Sequence, residues 1–541
     1  MNRQGRILIV ENEERWQNTL ASLLQREGFK VDVASTSGQA LEQFDKSFYH
    51  FAIFDIRLDD DDDPTDVEGF NLLKELENRK LYEIMPVSML SAFGTREQMR
   101  KAFSQYKVAD FIDKSEFDSL EFIQDVHKIF AEKVLINLNL IIHWPSSNNA
   151  EQQIDSLKFQ GTRVKNNPEL KALLTGELED LLCRLFYEAD SIVVESMSLG
   201  HSGTSVLRVT PYYRDGAGQQ VVVKFGERSL IETEYNNFLN YVQNFISGSR
   251  STNVVTRRST PHLGGIVYSL LGSASHQLES FGSFYQHSDT HQVEQTLNHL
   301  FLNTCGQWYA NLGKIQPHNL TSEYTQLLGL TAENLEQALH NLKSAQGKEK
   351  LKFTSLPNIP NFTNPVWAIA SHAFIKPTYT CITHGDLNEN NFLIDEAGHT
   401  WLIDFGRTGT GHILRDVAEL DAIVRIQLLA ENEATLEERL MMETTLCQAA
   451  NFSELQQLSN NLQTTNKALS KAYAVAIYLR NIAHKLVERR LGDDMSDYYV
   501  ALIYYALGYL RYYALSRLQR EHALLSASLL VDCLGLGRRN E

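Results

Sequence analysis

The first 133 residues alternate short apolar runs with amphipathic stretches, and this alternation limits the fold more than any other feature of the chain. "RILIV" precedes "RWQNTLASLLQREG", and "KVDVAS" precedes "GQALEQF". "HFAIF" precedes "GFNLLKELENR", "MPVSML" precedes "REQMRKAFSQY", and "ADFID" precedes "LEFIQDVHKIFAEK". Continuous apolar runs are strands covered on both faces. Their alternation with helical patterns predicts a parallel, doubly wound α/β sheet over residues 1–133. Ligands of such sheets bind beyond the carboxyl ends of the strands.

Those ends carry chemistry. Glu11 and Asn12 follow the first run, Asp55 closes the third, Ser91 closes the fourth, and Lys114 follows the fifth. Acids at a strand tip can hold a hard cation such as Mg²⁺. An aspartate beside that cation can accept a phosphoryl group. A hydroxyl and an ammonium from the next two strands would bind the new phosphoryl oxygens.

With these residues in this order, residues 5–130 resemble the response-regulator receiver family, whose fold is flavodoxin-like. The resemblance implies that Asp55 is the phosphoacceptor and that Glu11 and Asn12 occupy the paired acidic position. It makes Ser91 the switch hydroxyl, Phe111 the switch aromatic and Lys114 the phosphate-binding lysine. It also implies a sensor histidine kinase or small phosphodonor as partner, and a homodimer formed through the receiver. Asn12 replaces one acid, which weakens the expected metal affinity, although an amide oxygen can still ligate Mg²⁺. The loop "RLDDDDDPTDVEG" is long and acidic. It reads as a solvated loop, or as further carboxylates for the metal site or a partner surface.

Residues 134–190 read as a connector. "VLINLNLIIHW" alternates like a strand, and "NPELKALLTGELEDLLCRLFYEA" is an amphipathic helix with Asn167 as N-cap and Pro168 at its first position. The segment is too apolar for a floppy linker and should pack against a neighbouring domain.

The second half holds another set of chemistry-bearing residues. Gly200 and Gly203 lie in a loop between two strand patterns, where exposed amides could form an anion nest. Lys224, near the end of "QQVVVKFG", could pair the same phosphates, and Glu234 by spacing, or else Glu232, could hold that lysine. In "ITHGDLNENNFLID", Asp386 is placed to meet an incoming hydroxyl and Asn391 to reach a metal. "TWLIDFG" puts Asp404 at a strand end, where it could bind the Mg²⁺ that bridges nucleotide phosphates.

This pattern, through His384, Gly385, Asp386, Leu387 and Asn391, resembles the protein-kinase-like fold, and within it the aminoglycoside phosphotransferase and choline kinase branch. "RDVAEL", containing Asp416, matches a later structural motif of that branch. The resemblance spans Ile192 to Arg425. It implies an α+β two-lobed domain, with an N-lobe over 191–272 and a large helical C-lobe over 273–541. It further implies bound ATP and Mg²⁺, and phosphoryl transfer to an acceptor that no residue pattern names. The competing expectation is a pseudokinase-type adaptor that binds nucleotide or a protein partner without transfer.

Composition excludes other classes. A net charge of −17 opposes binding to a nucleic-acid backbone. The most apolar stretch, "VALIYYALGYLRYYAL", is interrupted by Arg511 and is shorter than a membrane span, so it reads as a buried helix. Five scattered cysteines without CxxC spacing argue against a disulfide framework or a zinc site, and a cytoplasmic protein is expected.

Overall fold

The computed structural model describes residues 3–536 except 60–62, 64, 93–94, 146–148, 197–202, 247–251, 271–277, 343–348, 358, 360, 371 and 488–491. The chain forms two compact units, residues 1–233 with 253–269, and residues 234–252 with 270–541.

The first unit opens with β1 (Arg6–Val10), α1 (Glu14–Arg26), β2 (Lys30–Ala34), α2 (Ser37–Lys46) and β3 (Phe51–Asp55). It continues through α3 (Glu68–Asn78), β4 (Val87–Ser91), α4 (Arg96–Gln105), β5 (Asp110–Asp113) and α5 (Ser119–Ile129). The five strands pair in parallel in the order β2-β1-β3-β4-β5, a flavodoxin-like sheet. The continuous apolar runs are explained by burial on both sides. Leu8, Val10 and Phe54 face one core, while Ile7, Ile9 and Ile53 face the other.

After α5 the connector departs from the expected strand. The chain turns at Leu135, which has a left-handed φ of 51°. Asn137 then anchors it, its amide nitrogen donating to the Ala189 carbonyl at 2.7 Å. Only β6 (Ile141–His143) is extended, because this turn consumes the preceding residues. α6 (Ala150–Asp155) and α7 (Pro168–Leu185) follow, and Asn167 caps α7 by accepting from the Leu170 amide. A second sheet comprises β7 (Ser191–Ser196), β8 (Ser205–Tyr213), β9 (Gly216–Ala217), β10 (Val221–Glu227), β11 (Thr252–Ser259) and β12 (Leu263–Leu270). Its order is β11-β12-β10-β8-β7-β6, with β9 paired to β8, so the connector supplies an edge strand. α7 packs Leu174, Leu178, Leu181 and Leu182 against Ile192, Val209, Val223 and Phe225 of this sheet.

The second unit is mainly helical. It holds β13 (Glu279–Ser280), α8 (Leu320–Leu328), β14 (Thr380–Thr383), β15 (Phe392–Ile394), β16 (Thr400–Leu402) and β17 (Gly409–His412). Its later helices include α9 (Arg415–Ala422), α10 (Leu436–Leu446), α11 (Lys467–Val487), α12 (Ser496–Tyr509) and α13 (Arg517–Cys533). The tyrosine-rich stretch becomes α12, buried from Tyr498 to Leu507. Among the described residues no helix is long and apolar enough to cross a membrane.

Candidate functional site

The register of the first sheet brings its strand ends together, with Asp55 opposite Leu90 and Ser91 opposite Asp113. Lys114, one residue past β5, reaches back into this cleft. Its Nζ lies 2.5 Å from Asp55 Oδ2 and 2.9 Å from Glu11 Oε2. All three side chains are buried. Burial lowers the Lys114 pKa, but the Asp55 and Glu11 carboxylates outweigh it and the net shift is upward. Glu11 is pushed up to about 8, by burial first and by the Asp55 charge second. Asn12 Oδ1 is buried without a hydrogen-bond partner among the described residues. A cluster of hard oxygens that includes an unsatisfied one fits Mg²⁺, which is commonly held by one or two carboxylates. Ser91 is buried at the end of β4, and Phe111 is partly buried on β5 against the core beneath.

Sequence reasoning missed Gly69. Its amide donates to the Ile56 carbonyl at 3.0 Å, and a Cβ there would lie 2.0 Å from the Asp55 carbonyl oxygen. Glycine therefore lets α3 begin directly against the end of β3. In the acidic loop, described carboxylates serve the loop itself. Asp66 accepts from the amides of Asp59 and Glu68, at 2.8 and 2.9 Å. Asp63 accepts from the Thr65 amide and hydroxyl, both at 2.7 Å, and residues 60–62 lie outside the described residues.

A charged seam at the opposite, amino-terminal ends of the strands was also missed. His50, just before β3, accepts the Arg6 amide on Nδ1 at 2.8 Å. That bond leaves Nε2 as the protonated nitrogen, and it meets Asp180 Oδ1 of α7 at 2.6 Å. Arg184, one turn further along α7, donates to Asp180 Oδ2 at 2.7 Å and to the Ile84 carbonyl at 3.1 Å. Arg228 donates to the carbonyls of Arg79 and Lys80. Elsewhere on α7, buried Glu177 accepts from Thr260 and from both nitrogens His262 offers, its main-chain amide and Nδ1. α7 thus ties the receiver-type sheet to the second sheet. The legible signal was the trio Glu177, Asp180 and Arg184, spaced to share one face of a largely apolar helix.

Lys224 is buried on β10, between Val206 of β8 and Ile266 of β12. Glu232 pairs with Arg228 at 3.4 Å and Lys80 at 3.9 Å. Gly203 has a left-handed φ of 86°, and a Cβ there would meet the Lys158 side chain at 3.2 Å, so local packing accounts for this glycine. Gly200 lies outside the described residues. Glu234 is buried in the second unit.

In the second unit, hydrogen bonds tie Asn391 to Asp386 and to the residue that precedes Asp404. Asn391 Nδ2 donates to the Asp386 carbonyl at 2.7 Å and to Asp386 Oδ2 at 3.3 Å. Its own carbonyl accepts the Ile403 amide at 3.0 Å, next to Asp404. His384 Nε2 meets the Ile403 carbonyl at 3.1 Å. Asp404 has a left-handed φ of 68°, a costly conformation that aspartate tolerates better than most residues. The loop that follows is held by Asn237, whose side chain donates to the carbonyls of Phe405 and Gly406.

Asp416 holds the other side of this network. It accepts from the amides of His384 and Gly385, at 2.7 and 2.9 Å, and from the Tyr309 hydroxyl at 2.8 Å. Gly385 has φ 76°, and a Cβ there would lie 2.5 Å from the Arg407 carbonyl, so only glycine fits. Glu419 accepts the Leu387 amide. Burial, then the Asp386 and Asp416 charges, raise its pKa well above the carboxylate range. Arg407 approaches Asp386 Oδ1 at 3.6 Å.

Comparison with known proteins separates the two halves. A family model described as response regulator receiver domain matches residues 7–126. One described as ternary complex associated domain 9 matches residues 189–358 and 362–511. An NtrX-like response regulator of Rickettsia bellii is 33% identical over 108 residues, covering 20% of this chain and 21% of that protein. Response regulator RR06 of Streptococcus pneumoniae is 30% identical over 100 residues, covering 18% of this chain and 42% of that protein. The matched region therefore spans less than half of either relative. A CheY-like receiver domain protein from Methanospirillum hungatei, of solved structure, shares 25% identity over 24% of this chain and 96% of its own, with a TM-score of 0.21.

Proposed function

Since the chain belongs to the ternary complex associated domain 9 family and carries a response-regulator receiver at residues 7–126, we propose a two-component regulator whose output is a kinase-like phosphotransferase. A sensor histidine kinase or small phosphodonor phosphorylates Asp55. Mg²⁺ held by Glu11, Asn12 and Asp55 supplies positive charge to the incoming phosphoryl group. Lys114 and Ser91 receive its oxygens.

In the output, Asp386 orients the acceptor hydroxyl. Asn391 and Asp404 would hold Mg²⁺, which would supply charge neutralisation to a bound nucleotide. The observation that carries this reading is the bond from Asn391 Nδ2 to Asp386, which commits the amide nitrogen and leaves Oδ1 as the ligand-type atom. The test is ATP turnover and autophosphorylation by the full chain, with and without acetyl phosphate. Asp386→Asn should lower turnover at least about a hundredfold, as loss of a positioned base does. Equal, background turnover by wild type and variant overturns the reading.

The contact between Arg407 and Asp386 favours a second reading, in which the aspartate is held in an ion pair and the domain binds nucleotide as an adaptor. Calorimetry showing ATP binding without turnover selects it.

A further inference from the structure

Two cysteines far apart in sequence meet at the ends of two helices. Cys447 is the C-cap residue of α10, its amide donating to the Glu443 carbonyl, and Cys533 is the last residue of α13. Cys533 Sγ donates to the Cys447 carbonyl oxygen at 3.6 Å, which brings the two cysteines side by side. Further back along both helices a hydrogen-bonded contact already joins them. Buried Glu443 of α10 accepts from His522 Nε2 at 2.8 Å and from Ser526 Oγ at 2.9 Å, both on α13. These bonds hold the two helices side by side near the cysteines. Cys533 is exposed and Cys447 partly so, whereas Cys183, Cys305 and Cys381 are buried.

We propose that Cys447 and Cys533 form a peroxide-oxidisable dithiol that closes into a disulfide across the ends of α10 and α13. The thiolate is the reactive form of cysteine. Cys533 is the exposed member of the pair, so it is the thiol that peroxide reaches first. Cys533 is thus the attacking sulfur. Its thiolate takes one oxygen of hydrogen peroxide, the O–O bond breaks, and Cys533 sulfenic acid and hydroxide result. The Cys447 sulfur then attacks the Cys533 sulfur. The S–S bond forms, the S–O bond breaks, and the hydroxyl leaves as water with the Cys447 proton. Overall two thiols lose two electrons and two protons to one peroxide, giving two waters. The remaining three thiols stay reduced in the folded chain, since Cys183, Cys305 and Cys381 are all buried away from peroxide.

The test treats the full folded chain with hydrogen peroxide, blocks remaining thiols with a maleimide, and maps peptides without reduction. Expected is a Cys447–Cys533 linked peptide and an intact chain lighter by two hydrogens, both reversed by dithiothreitol. In Cys447→Ser, Cys533 should stop as a sulfenic acid that dimedone traps. In Cys533→Ser, Cys447 should stay unoxidised. Over-oxidised Cys533 without a linked peptide, no oxidation of Cys533, or the same product from Cys447→Ser as from wild type overturns the proposal.

Discussion

Replacing Asp180 with alanine tests whether the seam between α7 and the receiver is as tightly made as its geometry implies. Asp180 gives one oxygen to His50 and the other to Arg184, and none of the three side chains is more than 5% exposed. The substitution leaves a buried guanidinium with the Ile84 carbonyl but no countercharge, and the His50 N–H without its acceptor. Breaking a buried ion pair from one side costs about 3–5 kcal/mol. Asp180→Asn keeps an acceptor for His50 but turns an amide donor toward Arg184, so it should cost about 1.5–3 kcal/mol, the worth of a bond to a charged group.

Asp180→Leu combined with Arg184→Met removes both charges, and its cost should fall well short of the two single costs added. The assay is urea unfolding of the full chain, with hydrogen exchange of the β3 amides reporting on the first unit. There is a pH signature as well. Burial raises the Asp180 pKa, but Arg184 and then His50 outweigh it and hold the carboxyl below its ordinary range. Its stabilising contribution is therefore complete above the unfolded-state pKa of about 4 and is lost as pH falls below it. Asp180→Asn should flatten that acid limb. Asp180→Ala within about 0.5 kcal/mol of wild type, the range of ordinary surface changes, would refute the reasoning. So would strict additivity in the double variant.

Gly69→Ala forces a Cβ to 2.0 Å from the Asp55 carbonyl. Overpacking of this kind costs about 1–3 kcal/mol, and the shifted strand end should slow the base-labile labelling of Asp55 by acetyl phosphate; labelling at the wild-type rate contradicts it. The His262 pKa is raised, chiefly by its hydrogen bond to Glu177. Its contribution is full below the unfolded value of about 6.5 and is lost as pH rises through the folded pKa. Wild type should therefore lose more stability between about pH 6 and pH 9 than His262→Gln does, as read by urea midpoints.

Much of the first domain was legible because its determinants are local. A continuous apolar run becomes a buried parallel strand wherever helices cover both faces, and the residue after the run then emerges at the strand's carboxyl end. Glu11, Asp55, Ser91 and Lys114 could be placed in one cleft on that basis. The loop bearing Asp386 and Asn391 was legible for a similar reason, since the two are close in sequence and share one turn. The extent of the connector strand was not legible, because the turn at Leu135 depends on Asn137 reaching Ala189, a residue 52 positions away.

The order of residues alone determined the parallel sheet, its acidic tip and the helix caps, since each follows from periodicity or from neighbours a few positions apart. Only the tertiary structure decided which charges share a buried seam. His50 and Asp180 stand 130 residues apart, and Cys533 lies 86 residues beyond Cys447. No periodicity encodes such pairs. Loop closure opposes them, and they exist because burial of whole cores brings their helices and strands together first.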